Sequence, residues 1–105
     1  MYDQISSTLT TSSTTVDQVA MSLGSTVYRT LKLNVQMTSS TSYHSQEILM
    51  VHDGTLVYMT EYAIVNNGSI LSTFDADISG GNIRLLVSPT NAVTTYKIAC
   101  SAIRI

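Results

Sequence analysis

A histidine stands beside an aspartate at His52-Asp53, and a second histidine, His44, lies in "SYHS" a little upstream. A His–Asp pair is the proton-handling part of a hydrolytic triad, and 15 Ser and 15 Thr would supply nucleophiles in excess. That excess makes any Ser-His-Asp match uninformative. The pair also fails on geometry, because consecutive strand residues project to opposite faces. No Gly-x-Ser-x-Gly elbow is present. His52 therefore reads as a polar hairpin tip and His44 as a loop or strand-start residue. The two share no short ligand spacing, so a transition-metal site is not expected.

Three further sets of residues invite chemistry. Glu47 and Glu61 could be the paired carboxylates of a glycosidase, but a hairpin register that sets Glu61 opposite Gln46 sends them to opposite faces. Asp75, Asp77 and Ser79 alternate and Gly80 falls sixth, as in a calcium loop. The twelfth position is Leu86, where such a loop needs a bidentate glutamate. Residues 75–82 therefore read as a loop whose aspartates cap backbone N–H groups and whose glycines permit the turn. Cys100 is the single cysteine, which excludes an intramolecular disulfide and a Cys-based zinc site. It reads as a small buried residue on the last strand. No catalytic residue, metal or cofactor is expected, and the chain reads as non-enzymatic.

The composition narrows the class. The 105 residues suggest one domain large enough to fold without disulfides. Charged residues make up only 11% of the chain, against about 25% in an average soluble domain. Hydroxyls take their place, a balance that suits β-rich extracellular or virion-surface proteins. The five Lys and Arg are scattered and the net charge is -2, so nucleic acid is not an expected partner. No apolar run is long enough to span a membrane. The N-terminus "MYDQISSTLT" has neither a basic n-region nor an apolar h-region, so no secretory signal is expected.

The elements that would position these residues are strands. "VYRTLKLNVQM", 27–37, alternates, with Val27, Leu31, Leu33, Val35 and Met37 on one side and Arg29 as the exception among them. Strands follow at 43–52, 55–65, 70–75, 83–88 and 93–105, broken by "NNGS", "SGGN" and Pro89-Thr90-Asn91. In the last of these Tyr96, Ile98, Cys100 and Ala102 share a face. Residues 16–23 fit a helix through Val16, Val19, Ala20 and Leu23, but Val19, Met21 and Leu23 also alternate, and a strand is favoured. The fold class is all-β, a β-sandwich or jelly-roll-like arrangement of about seven or eight antiparallel strands. Residues 1–15 form a Ser/Thr-rich N-terminal arm or edge strand, anchored in "SSTLTTSSTT" only by Leu9, and 16–105 form the sandwich domain.

Asp53-Gly54 favours a two-residue type I′ turn. That register sets His52 against Thr55, Met50 against Val57 and Ile48 against Met59 on one face. On the other, Val51 meets Leu56 and Leu49 meets Tyr58. Both faces are then apolar, and a sandwich core covers only one. Ile48, Leu49, Met50, Val51, Leu56, Val57, Tyr58 and Met59, with Leu9 from the arm, form the candidate protein interface. Tyr28, Tyr43 and Tyr62 are the tyrosines most expected to be exposed and to offer stacking surfaces.

"YHSQEILMVHDGTLVYMTEYAIV" followed by "FDADISGGNIRLLVSPT" resembles a β-rich domain of structural proteins of tailed bacteriophages, notably marine and cyanobacterial ones. The resemblance covers roughly residues 16–105, and "EILMVHDGT", "YMTEY" and "DISGGNIRLLVSPT" carry it most specifically. It implies a virion component that works by assembly and names no catalytic residue. A capsid decoration or cement protein fits the size, the arm and the doubly apolar hairpin. A tail or fibre subunit and a host-surface glycan-binding module are the alternatives. The implied partners are a major capsid or tail protein, further copies of the chain and, in the last case, a host glycan.

Overall fold

The computed structural model describes residues 1–105 as eight antiparallel strands with no helix. These are β1 (Tyr2–Thr10), β2 (Gln18–Gly24), β3 (Tyr28–Ser39), β4 (Ser42–His52), β5 (Val57–Asn66), β6 (Ser72–Ser79), β7 (Asn82–Pro89) and β8 (Thr95–Arg104). Two sheets form a sandwich, one of five strands ordered β1-β8-β3-β4-β5 and one of three ordered β2-β7-β6. The chain folds back on itself, first strand on last and second on seventh. The β3-β4-β5 meander widens one sheet.

Alternation explains the larger sheet. Leu31, Leu33, Val35 and Met37 of β3 lie beside Tyr96, Ile98, Cys100 and Ala102 of β8, and all are buried. Ile48 and Met50 of β4 continue this face, and Ile83, Leu85 and Val87 of β7 meet it from the smaller sheet. Fully burying each such aliphatic side chain contributes about 1.5–3 kcal/mol.

Bulges account for the irregular stretches. One at Val19/Met21 makes Ala20 and Met21 both face inward while Val19 turns to solvent, so the expected alternation of Val19, Met21 and Leu23 breaks there. Another at Tyr28/Thr30 accommodates Arg29, whose Nη1 donates to the His52 carbonyl at 3.0 Å; Val27 precedes the strand and is exposed instead of joining the core.

The N-terminal residues form the edge strand β1. Ile5 and Leu9 rest against the core, and Ser7 Oγ donates to the Ala20 carbonyl of β2 at 2.9 Å. Thr11, directly after β1 in the middle of the Ser/Thr run, is buried and donates to the Ala92 carbonyl at 2.8 Å.

Two sequence expectations need correction. Residues 75–79 are strand, not loop, and the β6–β7 connection is the two-residue turn Gly80-Gly81, both at positive φ (60° and 79°). Ser79 pairs with Asn82, and Asp77 faces Arg84, whose Nε and Nη2 donate to its two carboxylate oxygens at 2.7 and 2.6 Å. The Asp77 carboxylate is thus held by a guanidinium, not aimed into a calcium loop.

The β4–β5 hairpin also differs. Its loop has four residues, 53–56, and pairing begins at His52↔Val57. The Asp53 carboxylate accepts the N–H groups of Thr55 and Leu56 at 2.9 and 2.8 Å, and the Asp53 N–H donates to the Leu56 carbonyl. Those bonds close a wider turn than Asp-Gly alone suggests. The register moves by two residues, so side chains from Glu47 to His52 and from Val57 to Tyr62 keep their faces, up to a bulge at Ser45/Glu47.

Candidate interaction surface

His52 and Asp53 do not form a dyad. His52 points inward and is 4% exposed. Its Nδ1 accepts the Gly54 N–H at 2.9 Å, which leaves Nε2–H to donate to the Tyr28 carbonyl at 2.6 Å. Asp53 turns outward, where the Leu56 N–H, then the Thr55 N–H and the Tyr58 hydroxyl, lower its pKa.

His44 lies near the start of β4, as its third residue, but it is buried, only 2% exposed. Its Nδ1 accepts the Leu71 N–H at 3.0 Å, and its Nε2–H donates to Gln46 Oε1 at 2.9 Å. Gln46 in turn donates to Glu61 Oε1 at 2.8 Å. Both histidines are neutral structural residues whose ring nitrogens are occupied. Glu61 pairs with Ile48, not Gln46, and still projects from the face opposite Glu47. The thiol of Cys100 is buried, and burial pushes its pKa up to about 11.

The outer face of the five-stranded sheet is free of covering elements. The strand registers lay its side chains in rows across the sheet. One row reads Tyr2–Ile103–Thr30–Val51–Tyr58, and the next Gln4–Ser101–Lys32–Leu49–Thr60. A third reads Ser6–Ala99–Asn34–Glu47–Tyr62. The face grades from an apolar, aromatic end to a polar field. Over the polar field lies an open depression of about 490 Å³, bordered by Gln4, Lys32, Asn34 and Glu47 with Ala99 and Ser101 beneath.

The candidate interface residues divide between the two faces. Ile48 and Met50 are core, and Val57, Met59 and Leu9 pack partly against it. Leu49, Val51 and Tyr58 are 40%, 42% and 54% exposed on the outer face, and Leu56 is exposed in the loop. Among the tyrosines Tyr43 is exposed as expected, but Tyr28 and Tyr62 are only half-exposed and Tyr2 and Tyr58 are open. Tyr28 is held by its hydroxyl, which donates to Asp3 Oδ2 at 2.7 Å and lowers the Asp3 pKa, with Arg104 adding to the effect. Sequence reasoning missed the depression, because it depends on β1 and β3 flanking β8, a long-range pairing.

The architecture defines an all-β sandwich, a fold that also occurs within solved phage tailspike proteins. In particular, the chain is similar over 96% of its length to part of a tailspike protein, gp49, of the Acinetobacter baumannii bacteriophage Fri1, at TM-score 0.57 and 13% identity. It is similar over 99% of its length to part of the tailspike protein of Acinetobacter baumannii phage AM24, at TM-score 0.55 and 11% identity. The Fri1 protein is described as a capsular polysaccharide depolymerase. The chain spans 17% and 26% of those two proteins, so the likeness is one of fold. No protein-family model and no curated protein matches the sequence.

Proposed function

We propose that the chain is a non-enzymatic structural module of a bacteriophage tail spike or fibre, acting by contact with neighbouring virion subunits and with the host surface. The observation that carries this reading is the near full-length structural likeness to parts of two phage tailspikes. It favours the tail over capsid decoration, which draws only on size, the β1 strand and the exposed hairpin face. Leu49, Val51 and Tyr58, continued by Ile103 and Tyr2, offer an apolar area for another subunit. The candidate catalytic groups are committed elsewhere, the histidines to backbone and amide partners and the two glutamates to opposite faces.

Gold-labelled antibody raised against the chain, applied to intact particles and followed by electron microscopy, tests the reading. Label on the tail or its fibres is expected. Label on the capsid would replace the reading with decoration, and absence from particles would end both.

A further inference from the structure

We propose that the depression over β8, between Gln4 of β1 and Asn34 of β3, binds a carboxylate-bearing saccharide chain. The inference rests on the tail reading and names a site and ligand class for it.

The first observation is the shape. Ala99 and Ser101 are short, whereas their flanking neighbours Gln4, Lys32 and Asn34 are long, so the sheet dips along its second strand. A second depression, bordered by Gln36 and Lys97, shares Ser6, Asn34 and Ala99 with the first and extends it along the strand. The result is an elongated groove, the shape a chain ligand needs.

The second is the state of the polar groups. The side chains of Gln4, Ser6, Asn34, Gln36 and Ser101 make no hydrogen bond within the molecule, while those around the hairpin and strand ends are paired. Amides that both donate and accept suit the vicinal hydroxyls of a sugar. The adjoining row, with Tyr2, Ile103 and Tyr58, supplies apolar surface for sugar C–H faces.

The third is charge. The chain is net negative, yet both of its lysines lie on this face, where Glu47 is the only carboxylate bordering the groove and Asp53 lies at the hairpin end beside Tyr58. Arg84 is paired with Asp77 and Arg104 with Asp3. Lys32 stands 3.8 Å from Glu47, and Lys97 makes no ion pair. Four residues along β8 separate Ser101, beside Lys32, from Lys97, or about 13 Å at strand rise. Two cations against one carboxylate leave the groove net positive, which favours an anionic polymer over a neutral one.

An immobilised panel of bacterial capsular polysaccharides, carboxylated and neutral, tests the site with the full chain. Binding to at least one carboxylated polysaccharide is expected, weakening as salt rises. Ala99→Trp, which fills the groove from an exposed position, and the Lys32→Gln/Lys97→Gln pair should each weaken it tenfold or more. Val93→Ser, at an exposed loop position outside the groove lining, should not. Unchanged melting temperatures establish that the variants are folded. Binding that survives Ala99→Trp, binding to neutral polysaccharides alone, or no binding at all overturns the inference. A tail-located chain that binds nothing sinks the groove and leaves the tail reading intact, whereas label on the capsid sinks the tail reading regardless of saccharide.

Discussion

Replacing His44 with leucine should cost the fold roughly 2–4 kcal/mol, because two buried polar groups lose their partners and each orphan costs about 1–3 kcal/mol. The first is the Leu71 N–H, which donates to His44 Nδ1 where the chain enters the smaller sheet. The second is Gln46 Oε1, which accepts from Nε2–H. Leucine is close to histidine in size, so little of the loss is cavity. A domain of this size drops about 4–8 °C per kcal/mol, and the melting temperature should fall by roughly 10–25 °C. Thermal or urea unfolding at neutral pH measures it, and native-state hydrogen exchange should show the Leu71 amide opening faster. The pair His44→Leu/Gln46→Leu should lose less than the sum of the two single changes, since removing both partners deletes an orphan. A loss below about 0.5 kcal/mol for the single change would refute the reasoning, as half a kcal/mol is within the range of ordinary surface substitutions. So would additivity in the double variant.

Tyr96 Oη is buried without a hydrogen-bond partner, and the nearby Ser72 hydroxyl donates to the Thr73 carbonyl instead. Burial raises the Tyr96 pKa, Ser72 pulling the other way. Tyr96→Phe should therefore be neutral or stabilising by up to about 1 kcal/mol in urea unfolding; a clear loss would mean the hydroxyl has a partner. Asp77, beside Arg84, and Asp3, bonded by Tyr28 and then Arg104, have lowered pKa values. The stability they add is complete above their ordinary value near 3.8 and is lost as pH falls through the lower folded values. Asp77→Asn should flatten the fall in stability below about pH 4, which a series of unfolding curves reads; an unchanged slope would exclude the pair from acid unfolding. Cys100 should ignore a disulfide-exchange reagent at pH 8 in the native state and react once denatured, and rapid native labelling would contradict its burial. Gly81→Val places a β-branched residue at φ 79° and should cost at least about 1 kcal/mol, visible as a lower urea midpoint.

What the sequence revealed follows from which interactions are local. Alternation in 31–37 and 96–102 placed eight core residues, because period two is written into each strand by its own pleat. The hairpin faces survived a register change because Asp53 widened the turn by an even number of residues. Bulges were invisible: nothing in "QVAMSL" or "VYRTL" announces an unpaired residue, which only the partner strand's register defines. The two histidines misled for the same reason. Their acceptors and donors, Leu71 and Tyr28, lie on other strands or connections, and burial of a polar ring is decided there. The groove needed the pairing of β8 with both β1 and β3, across most of the chain length.

The pairing of first strand with last has a mechanical side. Tyr2 lies opposite Ile103, and the Arg104 N–H donates to the Met1 carbonyl at 3.0 Å, so the two ends of the chain are hydrogen-bonded neighbours. Tension applied through both ends would load that ladder like a zipper, one rung at a time, starting at Met1 and Arg104. Tension spread over the sheet face would instead load the rungs of five strands together. The domain is therefore strongest when held by its face, and weakest when strung through its termini.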